Sequence, residues 1–205
     1  WWERYTRHNN YPVAFVDFGM TPEMADWCKE KGELIPFSYS IHASSNKKIV
    51  AETERIYGNE VVSLRNCWFK KPLAFTLTPF DKTVWLDLDC EVLGPLAPLF
   101  AYKNLALAKE IKNPHLYNSG VIVYEKNSPL IKKWANESEK ASERYIGDEE
   151  LLSFLIHSKN IKVDELPPEY NWRMCKGINI NAQIIHWVGK WGKEIIKNFG
   201  GLPSI

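Results

Sequence analysis

The chain has 205 residues, 45% of them apolar, with nine Trp, nine Tyr and nine Phe, which is enough for a substantial core in one domain. Its 26 Lys and Arg nearly balance 25 Asp and Glu, so no global field draws in nucleic acid. No apolar run approaches membrane-spanning length, no secretory signal pattern is seen, and Cys28, Cys67, Cys90 and Cys175 form no CxxC pair, which reads as reduced thiols in a cytoplasmic protein.

Trp1 to Tyr5 reads as the end of a helix, and the abrupt start predicts that an earlier strand and most of that helix precede it. Tyr11 to Phe18 is a predicted strand. Thr21-Pro22 then starts a helix, with Thr as N-cap and Pro at the first helical position, and Gly32 ends it. Lys47 to Tyr57 reads as a polar helix and Val61 to Leu64 as a short strand. Pro72 suits the first turn of a helix running to about Leu77, which places Lys70 and Lys71 at its positive end, an anion-facing position or simply two solvated lysines.

Thr83 to Leu88 is β-branched, aromatic and aliphatic and reads as a buried strand, with Asp87 and Asp89 where the apolar run ends. Alternation along a strand puts both carboxylates on one face. Two adjacent carboxylates repel unless a cation or proton lies between them, and a hard divalent ion accepts them while leaving room for phosphate oxygens. Such sites form beyond the carboxyl ends of strands; two solvated acids, one capping a turn, are the plain alternative. Leu105 to Lys109 and Val121 to Tyr124 are further strands, Ser128-Pro129 opens a helix through Glu139, and Gly147-Asp148-Glu149-Glu150 opens another to His157. Ile161 to Leu166 and Gln183 to Val188 complete the strands. The alternation predicts an α/β domain with a mixed, mostly parallel central sheet flanked by helices.

Four features lie in one order: Asp87-x-Asp89, Asn118-Ser119-Gly120, Asp148-Glu149-Glu150 and His186-Trp187-Val188-Gly189-Lys190. Together they resemble the GT-A glycosyltransferases, most closely the retaining family 8-like group that includes glycogenin and the bacterial lipopolysaccharide galactosyl- and glucosyltransferases. The likeness spans roughly Tyr11 to Lys193. It implies a single GT-A, Rossmann-like domain over residues 1–205, without the first strand that carries nucleobase contacts. It also implies that Asp87, Asp89 and His186 hold Mn2+ or Mg2+ against a donor diphosphate. By the same likeness Gly189 lets the backbone approach the diphosphate, and Asn118, Ser119 and Gly120 line the sugar pocket, Asn118 also standing with the catalytic set. Asp148 touches the transferred sugar, and Lys71, Leu88 and Lys190 face the donor. Leu166-Pro167 and Tyr170-Asn171 match a further common stretch.

Two departures stand out. Glu149 replaces the family's usual Gln on the reacting face, and Gly192 stands where the family has a lysine, with Lys190 and Lys193 nearby. The activity implied is metal-dependent transfer of a hexose from a nucleotide sugar, UDP-glucose or UDP-galactose, to a saccharide or glycolipid acceptor with retention. Lipopolysaccharide biosynthesis and peripheral membrane association go with it. A catalytically silent nucleotide-sugar or glycan-binding domain is a second class of reading. A phosphohydrolase or nucleotidyltransferase is a third, but no further metal-binding acids or nucleophile lie near the first acidic pair.

Overall fold

A computed structural model describes residues 1–42, 44–62, 64–111 and 113–202. The chain divides into two compact units, one made of Trp1–Tyr11, Lys82–Glu125 and Lys162–Ile205, the other of Pro12–Asp81 and Lys126–Ile161.

The first unit holds the helix α1 (Trp2–His8) and the strands β3 (Lys82–Leu86), β4 (Cys90–Val92), β5 (Ala106–Lys109), β6 (Tyr117–Glu125), β7 (Asp164–Glu165), β8 (Trp172–Arg173) and β9 (Ile184–His186). Its last helix is α8 (Gly189–Phe199). One sheet runs β3-β6-β5-β7 and another β4-β9-β8. β6 is buried along eight of its nine residues because it is antiparallel to neighbours on both edges, β3 and β5. Its pairing with β5 jumps from Leu107↔Ile122 to Ala108↔Asn118, an irregularity that leaves Ser119, Gly120 and Val121 outside that ladder. Irregularities of this kind re-aim side chains next to functional sites.

The second unit contains the parallel pair β1 (Ala14–Asp17) and β2 (Glu33–Pro36) with α2 (Pro22–Lys31), α3 (Lys47–Tyr57), α4 (Asn59–Val62), α5 (Arg65–Phe75), α6 (Pro129–Ala141) and α7 (Asp148–Ser158). α2 and α3 start as expected: Thr21 Oγ1 accepts from the Met24 N–H and Asn46 Oδ1 from the Lys48 N–H. Phe75 and the fully buried Trp134 meet with ring centroids 5.2 Å apart, joining α5 to α6.

The fold is mixed α/β as expected, with three parallel and three antiparallel pairings among the described strands rather than a mostly parallel set, since β6 runs against both neighbours. Three local expectations change. Residues 61 and 62, expected in a strand, close the short helix α4, and Ser63 lies outside the described residues. Pro72 sits inside α5, which starts at Arg65, so Lys70 and Lys71 ride within a helix instead of opening one. β3 ends at Leu86, and the Cys90 N–H donates to the Asp87 carbonyl (2.9 Å), so Asp87 and Asp89 belong to a turn and strand alternation does not set their directions. No disulfide joins the cysteines. No helix among the described residues is long and apolar enough to cross a membrane.

Candidate functional site

The turn after β3 is tied down by backbone. The Asp87 N–H donates to the Gly120 carbonyl (2.9 Å), and the Trp187 N–H donates to the Asp89 carbonyl (2.8 Å). Cys90 pairs directly with His186 across the β4–β9 ladder. These bonds bring the Asp89 carboxylate to 3.3 Å from His186 Nε2, with the histidine ring 4% exposed. Lys193 Nζ, on α8, reaches 3.8 Å from the other Asp89 oxygen.

Asp89, Cys90 and His186 form a group of three potential ligands whose donor atoms all lie within 4.8 Å of one another. The Cys90 thiol donates to the Gly120 carbonyl at 3.6 Å, which gives it a packing role. Asp87, expected in the same coordination sphere, has Oδ1 bound by the Trp85 indole N–H at 2.8 Å. A carboxylate and an imidazole that face each other across 3.3 Å suit a divalent ion of the manganese type, which takes both oxygen and imidazole nitrogen. Gly120 makes room for the ring: a Cβ there would overlap His186 Cε1 and Nδ1.

Behind His186 lies a buried row of polar side chains. His186 Nδ1 is 3.0 Å from Asn171 Oδ1, and Asn171 Nδ2 donates to Asn118 Oδ1 at 2.8 Å. The Gly120 N–H also donates to Asn118 Oδ1, at 3.0 Å, and Asn118 Nδ2 makes a long bond of 3.5 Å to Glu110. Arg173, which pairs with His186 in the β8–β9 register, places NH1 2.6 Å from Glu110 as an ion-pair contact rather than a hydrogen bond, and its NH2 donates to the Lys109 carbonyl at 2.6 Å. Sequence reasoning singled out Asn118 but gave Asn171, Glu110 and Arg173 no role. Only the Tyr170-Asn171 stretch pointed toward this row.

The remaining expected residues fall as follows. Leu88 is 81% exposed at the tip of the turn, and Ser119 is buried in β6. Gly189 opens α8 with φ +78°, a left-handed value that favours glycine. Lys190 is exposed on the first turn of α8. Gly192 explains why no lysine stands there: a Cβ would press into the Trp187 backbone carbonyl at 2.5 Å.

In the second unit, Lys71 is half-buried on α5. Asp148, 6% exposed, and the half-buried Glu149 form the first turn of α7, where the helix dipole favours their charge. Glu150, not Glu149, receives the Ile146 N–H (2.8 Å). The preceding loop is clamped by Arg65, 2% exposed, whose guanidinium donates to the carbonyls of Ser142 (2.6 Å), Tyr145 and Ile146 (2.7 Å). Burial pushes the Arg65 pKa down, and Glu143 and Glu150 partly restore it.

No protein-family model matches the chain. It is 25% identical over 188 residues to glycogenin-1 of Oryctolagus cuniculus, covering 83% of this chain and 53% of that protein. The chain spans about half, or less, of the length of the curated glycogenin relatives it matches. Among solved structures it is similar to the apo form of the glycosyltransferase GlyE of Streptococcus pneumoniae, with a TM-score of 0.60 at 19% identity over 92% of this chain and 50% of that one. It is also similar to the galactosyltransferase LgtC in complex with donor and acceptor sugar analogues, with a TM-score of 0.56 at 14% identity over 99% of this chain and 89% of that one. The chain is thus a distant homologue of glycogenin-1 with the GT-A fold.

Proposed function

We propose that the chain is a metal-dependent hexosyltransferase domain that moves a hexose from a UDP-linked donor to a saccharide or glycolipid acceptor with retention. The observation that carries this reading is the Asp89–His186 pair, 3.3 Å apart, with Lys193 on its open side. Asp89 and His186 would hold Mn2+ or Mg2+, with Asp87 beside them. The ion, when bound, offsets negative charge on the nucleoside-diphosphate leaving group.

The protein's own groups do the rest. Lys193 adds a positive charge on the Asp89 side, where a diphosphate would share it. Asn118, Ser119 and Gly120 form the buried floor for the sugar, and Gly189 leaves the start of α8 without a side chain. Asp148 and Glu149 are assigned to the transferred sugar by the family resemblance. A carboxylate at Glu149 stabilises positive charge at the anomeric carbon, or forms a covalent glycosyl intermediate, better than the family's amide. Peripheral association with a membrane is supported by α8, where Trp191 (61% exposed) and Phe199 (77%) stand among Lys190, Lys193 and Lys197.

The test is incubation with UDP-glucose and UDP-galactose, Mn2+ and a panel of saccharide and glycolipid acceptors. UDP release coupled to a glycosylated product supports the proposal. Donor binding without turnover supports a silent binding domain instead.

A further inference from the structure

We infer that Asn171 is a positioning residue that fixes His186 as the Nδ1–H tautomer and so presents Nε2 to Asp89 as a bare lone pair. The Gly120 backbone N–H can only donate, so the atom of Asn118 that it meets at 3.0 Å is the oxygen, Oδ1. That leaves Nδ2 of Asn118 toward the Glu110 carboxylate, which can only accept when ionised. The Asn171 atom 2.8 Å from Asn118 Oδ1 must then be its amide nitrogen. Its oxygen is left facing His186 Nδ1 at 3.0 Å, and an oxygen there requires Nδ1 to carry the hydrogen. Each step is forced by the one before it, and Asn118, Asn171 and His186 are each 4% exposed, so water does not compete for these bonds.

The consequence lies at the far side of the ring. In the neutral imidazole, Nε2 has no hydrogen, and it faces a carboxylate oxygen at 3.3 Å. A lone pair against a carboxylate repels unless a cation or a proton sits between them. Ligating histidines generally donate their other ring N–H to a neighbouring acceptor, which fixes the ring and raises its basicity. Asn171 supplies that acceptor, and the bulged segment of β6 supplies the anchor at Gly120. Glu110 and its ion-pair partner Arg173 close the row on the outside. The relay also accounts for two residue choices at once. Asn171 needs both a donor and an acceptor end, and Gly120 must lack a side chain so that the ring fits.

This inference deepens the proposed metal site and rests on that reading for its purpose, but its test does not need activity. In nitrogen-15-labelled protein without metal, at a pH alkaline enough to keep the ring neutral, long-range proton–nitrogen correlations report which ring nitrogen carries hydrogen. The His186 signals are assigned by their loss in His186→Gln. The expected result in the unaltered chain is a protonated Nδ1 and a pyridine-like Nε2; the reverse pattern overturns the inference. Asn171→Leu should release the preference for Nδ1–H and weaken binding of Mn2+ alone by roughly ten- to hundred-fold. Asn171→Asp keeps the acceptor toward Nδ1 and should retain the tautomer, while losing the donor to Asn118 Oδ1 and with it part of the affinity and stability. A leucine variant that keeps Nδ1–H undiminished also overturns it. A chain with Nδ1–H that transfers no sugar counts against the transferase reading alone, while Nε2–H in an active enzyme counts against the relay alone.

Discussion

Gly120 and His186 occupy one space: a Cβ added to Gly120 would fall among the ring atoms of His186. The contact arises because β6 leaves the β5 ladder at Ser119 to Val121 while the Gly120 carbonyl holds the Asp87 N–H. Gly120→Ala should therefore push the imidazole away from Asp89. Overpacking of this kind costs about 1–3 kcal/mol, and binding of Mn2+ should fall by more than that loss of stability explains. Thermal unfolding and a manganese titration on the same variant separate the two effects.

Lys193, not Lys190, is the lysine within 3.8 Å of Asp89. Gly192 is held against the Trp187 carbonyl, so the first turn of α8 cannot carry a lysine one position earlier. Lys193→Ala should weaken UDP binding by about 1.5–3 kcal/mol, the range for a charge-assisted hydrogen bond, and Lys190→Ala by clearly less. Equal losses in the two variants would show that the diphosphate does not lie on the Asp89 side of α8.

Glu149 and Glu150 divide their work. Glu150 accepts the Ile146 N–H ahead of α7, as a capping residue does. Glu150→Ala should cost about 0.5–2 kcal/mol of stability with donor affinity unchanged. Glu149→Gln should move stability by no more than about 0.5 kcal/mol and lower kcat with little change in donor affinity, because charge that matters only in the transition state does not hold the ground state. A Glu149→Gln enzyme at full rate would remove both the nucleophilic and the electrostatic role.

Glu91, 1% exposed, is the hub of the first unit. It pairs with Arg4 at 2.9 Å and accepts from the Trp187 indole at 2.8 Å and from the Leu202 N–H at 3.1 Å. Glu91→Ala leaves the half-buried Arg4 guanidinium and two donors without their partner, which should cost about 3–5 kcal/mol. Denaturant unfolding measures it; a loss below about 1 kcal/mol would mean that the first unit holds Trp187 and α1 by packing alone.

Much of this was legible in the sequence. The cap at Thr21 acts locally, so α2 begins where its residues say, and the polar stretch from Lys47 forms α3 with Asn46 as its cap. The order Asp-x-Asp, Asn-Ser-Gly, Asp-Glu-Glu and His-x-x-Gly carried the family likeness. What was hidden depends on distant partners. Pro72 marks a helix start by local rules, but α5 opens seven residues earlier, with Arg65 buried in a clamp of carbonyls more than seventy residues away in sequence. The strand before Asp87 looks continuous through Leu88, yet the Asp87 carbonyl takes the Cys90 N–H and turns the chain. Asn171 was marked only by the Tyr170-Asn171 match and given no role, because its two partners, Asn118 and His186, meet it only in the folded chain.

The central claim is that Asp89 and His186 bind a divalent ion that holds a nucleoside diphosphate. Calorimetric titration of UDP in the presence of Mn2+, and again with the metal chelated, tests it most directly on the unaltered chain and on His186→Ala. The account predicts tight, manganese-dependent UDP binding that falls at least ten-fold on chelation and by a similar factor in His186→Ala. Binding of UDP that is equally tight with and without manganese, or that survives the loss of His186 unchanged, would contradict it.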